Sequence, residues 1–498
     1  MDYCFTFVRP HRYKIKIRRQ SVMSNETFSV TLPSELSLKH TADVIVIGGG
    51  PGGIGAAVSA ARGGADVLLV EHYGFLGGMA TAGEVNPFMP NHYDGKPLDT
   101  GIYTEWVDRM ASYGGVCDSG LKFFDPGVAR LAAEDLCIEA GVRLLYHHRV
   151  VHVETANKKI TGVVLHSKSG LTVAKAKQYI DSTGDGDLAA LAGCEFKFGS
   201  EDTGFAQPMT MCFKLKLSES ARPEDVTGGD LFQNVMKNQY DLIQEVYKKA
   251  QEDGRIECPR ENVLMFRGVD RDVVHFNTTR VIKHDATDGN ALSEAEVLAR
   301  KQIRQLVKVL SEEVPAFKGC QIYSIAPQIG IRESRRIMGR DFVTTQDYMD
   351  GRTYADGIAR VTYPIDIHNP NGTGTVLLHF PKDAWMEVPF GCLLAKDIDN
   401  LGIGARCISV DHAVHSAVRV MPPVVSLGQA IGTAAAMAIK ENKDICQVDG
   451  KVVKEDLIKQ GRNIVPFDPE KQTTATYTDE QRAKIAEVCE KRAGRFSA

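Results

Sequence analysis

The chain has 498 residues, of which 43% are hydrophobic and 24% charged, and this length is enough for two or three domains with a sizeable core. Its formal net charge is −4 at pH 7, whereas nucleic-acid-binding proteins are typically strongly positive, so we expect no nucleic-acid partner. No stretch approaches the about 18 consecutive apolar residues of a membrane-spanning helix, so we expect no integral membrane segment.

The 11 cysteines include no C-x-x-C pair. That spacing is the usual signal of an iron–sulfur, zinc or dithiol site. We therefore predict no metal site and mostly buried, unpaired thiols in a reducing, cytoplasmic environment.

Residues 1–40 are predicted to be an N-terminal extension outside the fold. The first 22 residues contain six Lys or Arg and one acidic residue, without the long apolar stretch of a secretory signal. Two interpretations stay open: a mitochondrial presequence, or translation that begins at Met23.

The stretch TADVIVIGGGPGGIGAAVSAARGGADVLLVE, residues 41–71, predicts one βαβ unit that binds a dinucleotide. A buried strand over residues 43–47 is followed by glycines with G-x-G-x-x-G spacing, a helix of small residues, a second strand over 66–70 and a terminal acid. The glycines allow a tight turn, close approach to a pyrophosphate and close helix–strand packing, and the carboxylate binds ribose hydroxyls. The predicted cofactor-binding residues of this unit are Gly48, Gly50, Pro51, Gly52, Gly53 and Glu71.

A second glycine-rich loop, GFLGGMATAG at 74–83, follows directly after the acid. A cofactor longer than an ADP half needs backbone beside its remaining phosphate and ribityl chain. The loop therefore favours FAD over NAD and adds Gly77, Gly78 and Met79 to the predicted cofactor site.

Further motifs are FDPGVARLAAEDLCIEAGV at 124–142, DSTGDGDLAALAG at 181–193, IGIRESRRIMG at 329–339 and a long glycine- and alanine-rich segment at 400–439. With GGMAT after the ribose acid, they resemble the FAD-dependent oxidoreductase family of the glutathione-reductase-like flavoprotein superfamily. The resemblance spans most of the chain. The chain departs from the family at Gly404-Ala405, where relatives usually read Ala-Gly.

The resemblance implies further cofactor contacts beyond the fingerprint. They are the backbone at Val150 or Val151 beside the adenine, Thr183, Gly184 and Asp185 near the adenosine, and Gly404, Arg406 and Gly428 in the segment that returns to the flavin. The acidic loop after residue 182 lacks the ligand spacing of a calcium loop, which disfavours calcium.

The predicted fold is α/β, with a Rossmann-like FAD-binding domain that has a parallel sheet and an inserted β-meander, plus an inserted α+β cap or substrate domain. The predicted domains are residues 41–195 and 391–445 for the discontinuous FAD-binding domain, 196–390 for the cap and 446–498 for a helical C-terminal tail. We expect helices over 126–140, 231–251, 293–314 and 424–440, and strands over 142–146, 149–155, 160–166, 172–180, 179–182 and 397–403.

Arg332 and Arg335 are candidates to hold a polyhydroxy or anionic substrate, because three arginines within five residues need polar partners and the family motif lies near the flavin. A structural Arg–Glu network is the alternative. His412, and less favourably His415, is predicted to lie in a loop and is a candidate general base, with a structural role as the alternative. The helix start near Val424 would place positive potential at the flavin pyrimidine edge.

We predict an FAD-dependent oxidoreductase of dehydrogenase type that transfers hydride between a small polar or anionic substrate and flavin N5. The alternative is a flavoprotein electron-transfer subunit of a larger redox complex. A disulfide reductase is disfavoured because a second dinucleotide fingerprint and a C-x-x-C pair are both missing from the sequence. The substrate, the electron acceptor and the formation of a homo-oligomer are left open.

Overall fold

The computed structural model describes residues 35–118, 122–218, 231–381 and 384–475. From Ser37 onwards the chain forms one compact unit. Most of the predicted N-terminal extension, and the part of the predicted helical tail from residue 476 onwards, lie outside the described residues.

The secondary structure alternates between helices and strands over most of the described chain. The strands are β1 (Leu38–Ile47), β2 (Val67–Val70), β3 (His92–Tyr93), β4 (Lys96–Pro97), β5 (Val116–Asp118), β6 (Lys122–Phe124), β7 (Arg143–Leu145), β8 (Arg149–Ala156), β9 (Lys159–Ser167), β10 (Gly170–Asp181), β11 (Phe196–Phe198), β12 (Phe213–Lys216), β13 (Met265–Arg267), β14 (Val273–Phe276), β15 (Gln321–Ile325), β16 (Arg335–Ile337), β17 (Gly357–Val361), β18 (Ile365–His368), β19 (Thr375–Leu378), β20 (Met386–Pro389) and β21 (Leu401–Ile403). The helices are α1 (Pro51–Arg62), α2 (Ile102–Ser112), α3 (Pro126–Glu139), α4 (Asp187–Leu191), α5 (Leu231–Asn238), α6 (Tyr240–Glu252), α7 (Gly289–Glu313), α8 (Thr345–Met349), α9 (His412–Val418), α10 (Met421–Glu441) and α11 (Gly450–Lys459).

The central sheet has the order β7-β2-β1-β10-β9-β8, and β21 also pairs with β10. The pairs β7-β2, β2-β1, β1-β10 and β10-β21 are parallel, whereas β10-β9 and β9-β8 are antiparallel. The mixed α/β architecture with parallel pairing at its centre agrees with the predicted FAD-binding fold.

Three strand predictions need correction. The strand predicted over 397–403 is confined to β21, because residues 397–400 form a bend and a turn before it. The strands predicted over 172–180 and 179–182 are one continuous strand, β10, which pairs with β9 at its start and with β21 at its end. β1 begins at Leu38, inside the predicted extension, because Leu38 to Ala42 already pair with β10. Residues with exposed side chains can still extend a strand, because their backbone groups form hydrogen bonds with the neighbouring strand.

Two hydrophobic clusters make up the core. The first joins the central sheet with α1, α3 and α10, and it also includes residues of the 337–464 segment. The second is formed by residues within 209–331, where the sheet β13-β14-β12-β15 packs against α6 and α7. The domain boundaries and the cap role stay predictions, although packing places residues 343–390 with the first cluster.

Several helix predictions are confirmed with different limits. The segment 231–251 is two helices, α5 and α6, and α7 begins at Gly289 because the Asp288 side chain caps it, accepting a hydrogen bond from Ala291 N–H at 2.7 Å. The prediction that His412 and His415 lie in a loop is wrong, since both residues lie on the short helix α9, which Asp411 caps.

Among the described residues, α10 is the one helix that is long and apolar enough to span a membrane. However, 89% of its most apolar 18-residue stretch is buried inside the protein, as expected for the central helix of a core.

Candidate functional site

The turn after β1 lies directly against the end of β10. Gly48 has a φ of +98°, and a β-carbon there would lie 2.5 Å from the carbonyl oxygen of Ser182. A β-carbon on Gly53 would lie 1.9 Å from the carbonyl oxygen of Gly48. Only glycine fits at these two positions, and both belong to the predicted fingerprint.

Gly50 differs, because it borders open space. A β-carbon there would have only the Cα atom of Gly78 within 4 Å, at 3.8 Å. Gly50, Pro51 and Gly52 line a cavity of about 1530 Å³, and α1 begins here. The unpaired N–H groups in the first turn of a helix, with the positive end of its dipole, are suited to a phosphate.

Glu71 follows β2 and is 4% exposed, with its carboxylate at the cavity wall. One carboxylate oxygen accepts a hydrogen bond from Gly49 N–H at 2.6 Å, and the other accepts one from Tyr73 N–H at 2.9 Å. His72 Nδ1 also lies 2.8 Å from the second oxygen. A carboxylate has about four lone-pair sites, so at least one remains for a ribose hydroxyl.

The second glycine-rich loop packs on the first. Gly77 N–H donates to Gly49 carbonyl oxygen at 2.8 Å, and Gly77 and Gly78 have φ values of +106° and +48°. A β-carbon on Gly78 would lie 2.7 Å from the Cα atom of Gly50. This close packing leaves Gly78 and Met79 at the cavity wall and Gly77 behind it.

The loop after β10 is fixed by the fully buried Asp181. Its carboxylate accepts hydrogen bonds from Thr183 N–H at 3.0 Å and Ala189 N–H at 2.9 Å. Burial raises the pKa of Asp181 to about 6. Arg406 pairs with Asp185 across this loop, so two separate segments meet at the cavity.

The N-terminus of α10 also reaches the cavity, through Met421 and Val424. The helix begins at Met421, earlier than predicted, so Pro422 and Pro423 lie within its first turn. Since proline has no N–H, and Val424 N–H donates to Val420 carbonyl oxygen, Met421 supplies the free N–H group of that turn. The N-terminus of α10 therefore presents the positive end of the helix dipole to the cavity, but few hydrogen-bond donors.

Arg335 lies at the same end of the cavity as the Asp185 loop. Its guanidinium donates to an Asp187 carboxylate oxygen at 2.9 Å and to the Asp185 carbonyl oxygen at 3.1 Å, and it lies over the Phe196 ring.

Arg332 lies at a different wall, beyond one end of the sheet β13-β14-β12-β15. Its guanidinium donates to Pro208 carbonyl oxygen at 2.7 Å, Thr210 Oγ1 at 2.6 Å and Asn277 Oδ1 at 3.4 Å. Burial, followed by the charges of Arg419, Arg260 and Arg280, lowers the pKa of Arg332 to about 9. Positive charge is therefore concentrated at this wall.

His412 is buried, and its Nδ1 lies 2.8 Å from a carboxylate oxygen of Glu333. Glu333 also pairs with Arg336 and accepts a hydrogen bond from Gln207 N–H at 3.0 Å. Burial alone would raise the pKa of Glu333, but His412, His415 and Arg336 lower it to about 2. Neither histidine lines the cavity, and the two ring nitrogens of His415 have no hydrogen-bond partner among the described residues.

Most predicted site residues meet at this one cavity. Those at its wall are Gly48, Gly50, Pro51, Gly52, Glu71, Gly78, Met79, Val151, Thr183, Gly184, Asp185, Arg406, Arg332 and Arg335. Those not at the wall are Gly53, Gly77, Gly404, Gly428 and His412. Gly404 and Gly428 instead pack against Gly52, whose own β-carbon would lie 1.8 Å from the Gly404 carbonyl oxygen.

The sequence interpretation did not find the rest of the basic wall. Arg260, Arg419, Asp366 and His368 line the cavity beside Arg332. They come from separate loops and strands with no shared motif. The one available signal was the position of Arg419 just before the apolar helix α10.

A model of the family described as FAD dependent oxidoreductase matches residues 43–457 of this chain. The chain belongs to the FAD-dependent oxidoreductase family. It is therefore an enzyme, and its cofactor is FAD. The closer assignment to the glutathione-reductase-like superfamily stays a prediction.

No curated protein matches this chain significantly. Similar solved structures include the flavin-dependent brominase Bmp2, with 12% identity, 91% of this chain and 100% of that chain covered, and a TM-score of 0.44. Another is p-nitrophenol 4-monooxygenase PnpA from Pseudomonas putida DLL-E4, with 11% identity, coverage of 92% and 96%, and a TM-score of 0.41. A third is L-proline dehydrogenase from P. horikoshii, with 12% identity, coverage of 85% and 100%, and a TM-score of 0.38. These similarities carry no information on the substrate.

The residues present suit FAD. The open space at Gly50, the free N–H groups at the start of α1 and the Glu71 carboxylate lie along one side of the cavity. The cavity exceeds the roughly 300–1,000 Å³ of ordinary ligand sites, so a dinucleotide and a second small molecule can share it.

Proposed function

We propose that this enzyme is of dehydrogenase type and transfers hydride between a small polar or anionic substrate and the flavin. The observation that carries the proposal is that the predicted cofactor residues and the basic wall around Arg332 line one continuous cavity. FAD supplies a two-electron acceptor that takes hydride at N5. A polar wall beside a cofactor site favours an enzyme with its own substrate over an electron-transfer subunit.

The residues on the cofactor side of the cavity would bind and orient FAD. The first turn of α1 would hold the diphosphate, Glu71 the ribose, and the Arg406–Asp185 pair would fix the loop beside the adenosine. Arg335 would hold the same loop on the cofactor side, because its partners are Asp187 and the Asp185 backbone.

The substrate side contains the groups that touch the reactant. Arg332 would bind a negative or hydroxylated group, and Asp366 is a carboxylate at the same wall that can accept a proton. The pKa of His368 is far below 6.5 because of burial and the charges of Arg332 and Arg419, so its ring is neutral at pH 7. Arg280 Nη2 lies 3.2 Å from His368 Nδ1 and can only donate, which leaves the proton on Nε2.

His412 acts in this proposal as a positioning residue. It holds Glu333, which is adjacent to Arg332 in the chain and also pairs with Arg336. This geometry supports orientation of the arginine segment more directly than proton transfer to a substrate.

Anaerobic spectroscopy of the purified protein tests the proposal. The protein should be yellow, release FAD on denaturation and be bleached by a member of a panel of hydroxy acids, sugars and amines, with bleaching saturating in substrate. Release of FMN or NAD alone would reject the cofactor assignment. Bleaching by a protein electron donor only, with no member of a broad panel active, would favour the electron-transfer subunit.

A further inference from the structure

Positive charge exceeds negative charge at the substrate wall. Arg260, Arg332 and Arg419 line it, and Arg280 lies behind His368. Arg280 pairs with Glu261 at 3.1 Å, and the nearest carboxylate oxygen to Arg419 is that of Asp366 at 3.9 Å.

Arg260 and Arg332 have no carboxylate within 4.0 Å among residues 35–118, 122–218, 231–381 and 384–475. Arg260 is only 5% exposed. Since a buried charge without a partner is costly, Arg260 requires a negative partner, and the half-buried Arg332 faces the same cavity without a carboxylate to neutralise it.

Neutral groups hold these arginines in place without neutralising them. Arg332 is fixed by the Pro208 carbonyl oxygen and Thr210, and Arg419 Nη2 donates to Gln207 Oε1 at 3.3 Å and to the Asp366 carbonyl oxygen at 3.3 Å. The Nε atom of Arg419 is buried and has no acceptor in the described part of the chain. A guanidinium has five N–H donors, so each arginine keeps donors for a ligand.

The two basic segments face the cavity from different layers of the fold. Thr210 precedes β12, Asn277 follows β14 and Arg332 follows β15, so the three residues lie beyond one end of the four-stranded sheet. Arg419 follows α9. A ligand held by both would be clamped between the two hydrophobic cores.

On the basis of the proposed function, we propose that the substrate is a small dianion, either a dicarboxylate or a phosphomonoester, bound by Arg260, Arg332 and Arg419. Its two charges match the two arginines that have no carboxylate partner. Guanidinium groups bind carboxylate and phosphate oxygens through paired hydrogen bonds. The diphosphate of FAD has its own predicted place at the start of α1, so it does not account for this wall.

Isothermal titration of the FAD-loaded protein with four probes tests the charge requirement. The probes are succinate, methyl phosphate, propionate and succinamide. We expect succinate or methyl phosphate to bind at least about tenfold more tightly than propionate, since each charge-assisted hydrogen bond contributes about tenfold or more, and succinamide to show no binding. Preference for methyl phosphate would assign the phosphomonoester, and preference for succinate the dicarboxylate.

Variants of the wall locate the binding site. Arg332→Gln and Arg419→Gln should each raise the Kd of the preferred dianion by about tenfold to a hundredfold, because each loses a charge-assisted contact. Arg304→Gln is the matched control, since Arg304 is exposed on α7 away from the cavity. Circular dichroism and FAD content identify a variant that has misfolded, and the four-probe comparison on the unaltered protein does not depend on the variants.

Each failure has a different meaning. Equal affinity for propionate and the dianions, or tight binding of succinamide, would overturn the dianion proposal. A yellow protein that neutral substrates bleach, while no dianion binds, would also overturn it and leave the proposed function intact. A protein that binds succinate but no flavin would reject the proposed function, and the titration would still report the dianion site.

Discussion

The carbonyl oxygen of Gly52 lies 2.0 Å from the position that a β-carbon on Gly428 would occupy. The two residues bring the backbones of α1 and α10 into direct contact just behind the predicted diphosphate site. The start of α1 is therefore held by the C-terminal part of the chain.

Gly428→Ala should destabilise the protein and weaken FAD retention together. Alanine normally stabilises a helix interior by about 1 kcal/mol relative to glycine, but here the added carbon would clash with backbone, and overpacking costs about 1–3 kcal/mol. Urea unfolding and FAD content measure the two effects. Gly372→Ala is the control, since a β-carbon there has no heavy atom within 4 Å. Equal stability of the two variants would mean that the helices can separate without cost.

Gly50→Val should give a folded but colourless protein. A β-carbon at Gly50 would have only one protein atom within 4 Å, so no clash with the fold is expected. The substitution should therefore leave the thermal unfolding temperature near that of the flavin-free protein. The side chain would occupy the place of closest approach to the diphosphate. Absorbance at the flavin band checks the prediction, and a fully yellow variant would place the cofactor elsewhere.

Glu71→Ala should weaken FAD binding by about 1–3 kcal/mol, the usual range for hydrogen bonds to a charged group. Part of that loss would come from Gly49 N–H, which would lose its acceptor inside the turn. Glu71→Gln keeps one acceptor oxygen and should lose less. Fluorescence titration of the flavin-free protein with FAD measures both, and unchanged affinity in the alanine variant would remove Glu71 from the site.

Arg335→Ala should lower flavin occupancy and the thermal unfolding temperature, because the guanidinium holds the Asp185–Asp187 loop. The flavin that remains should be bleached by substrate within about threefold of the normal rate. The opposite result, full flavin occupancy with bleaching slowed by about one to two decades, would return Arg335 to the substrate side.

Glu333 should make the free energy of unfolding depend on acid pH. Its folded-state pKa of about 2 is below the unfolded value near 4.3, so its stabilisation is complete above pH 4.3 and is lost as the pH falls towards 2. The shift corresponds to about 3 kcal/mol. Urea unfolding between pH 2 and 6 should show a shallower acid decline in Glu333→Gln than in the exposed control Glu312→Gln. Parallel declines would mean that Glu333 does not carry this dependence.

The cofactor half of the molecule could be predicted from the sequence because its contacts are local and use residue types with a narrow structural meaning. Glycine spacing, an acid at the end of β2 and a proline after Asp125 each specify backbone geometry within a few residues. The basic wall could not be predicted, since Arg260, Arg332 and Arg419 meet only through tertiary packing. His412 was misplaced because Asp411 caps a helix too short to show a periodic pattern.

The order of elements along the chain has a consequence for synthesis. The second hydrophobic cluster is complete by residue 331, whereas β21 and α10 begin at Leu401 and Met421. A chain that emerges from its N-terminus can therefore complete the second hydrophobic cluster before Arg419 and the partner of α1 exist. FAD can be held stably only once the last fifth of the protein has been made, so a truncated chain would keep a folded core but no flavin.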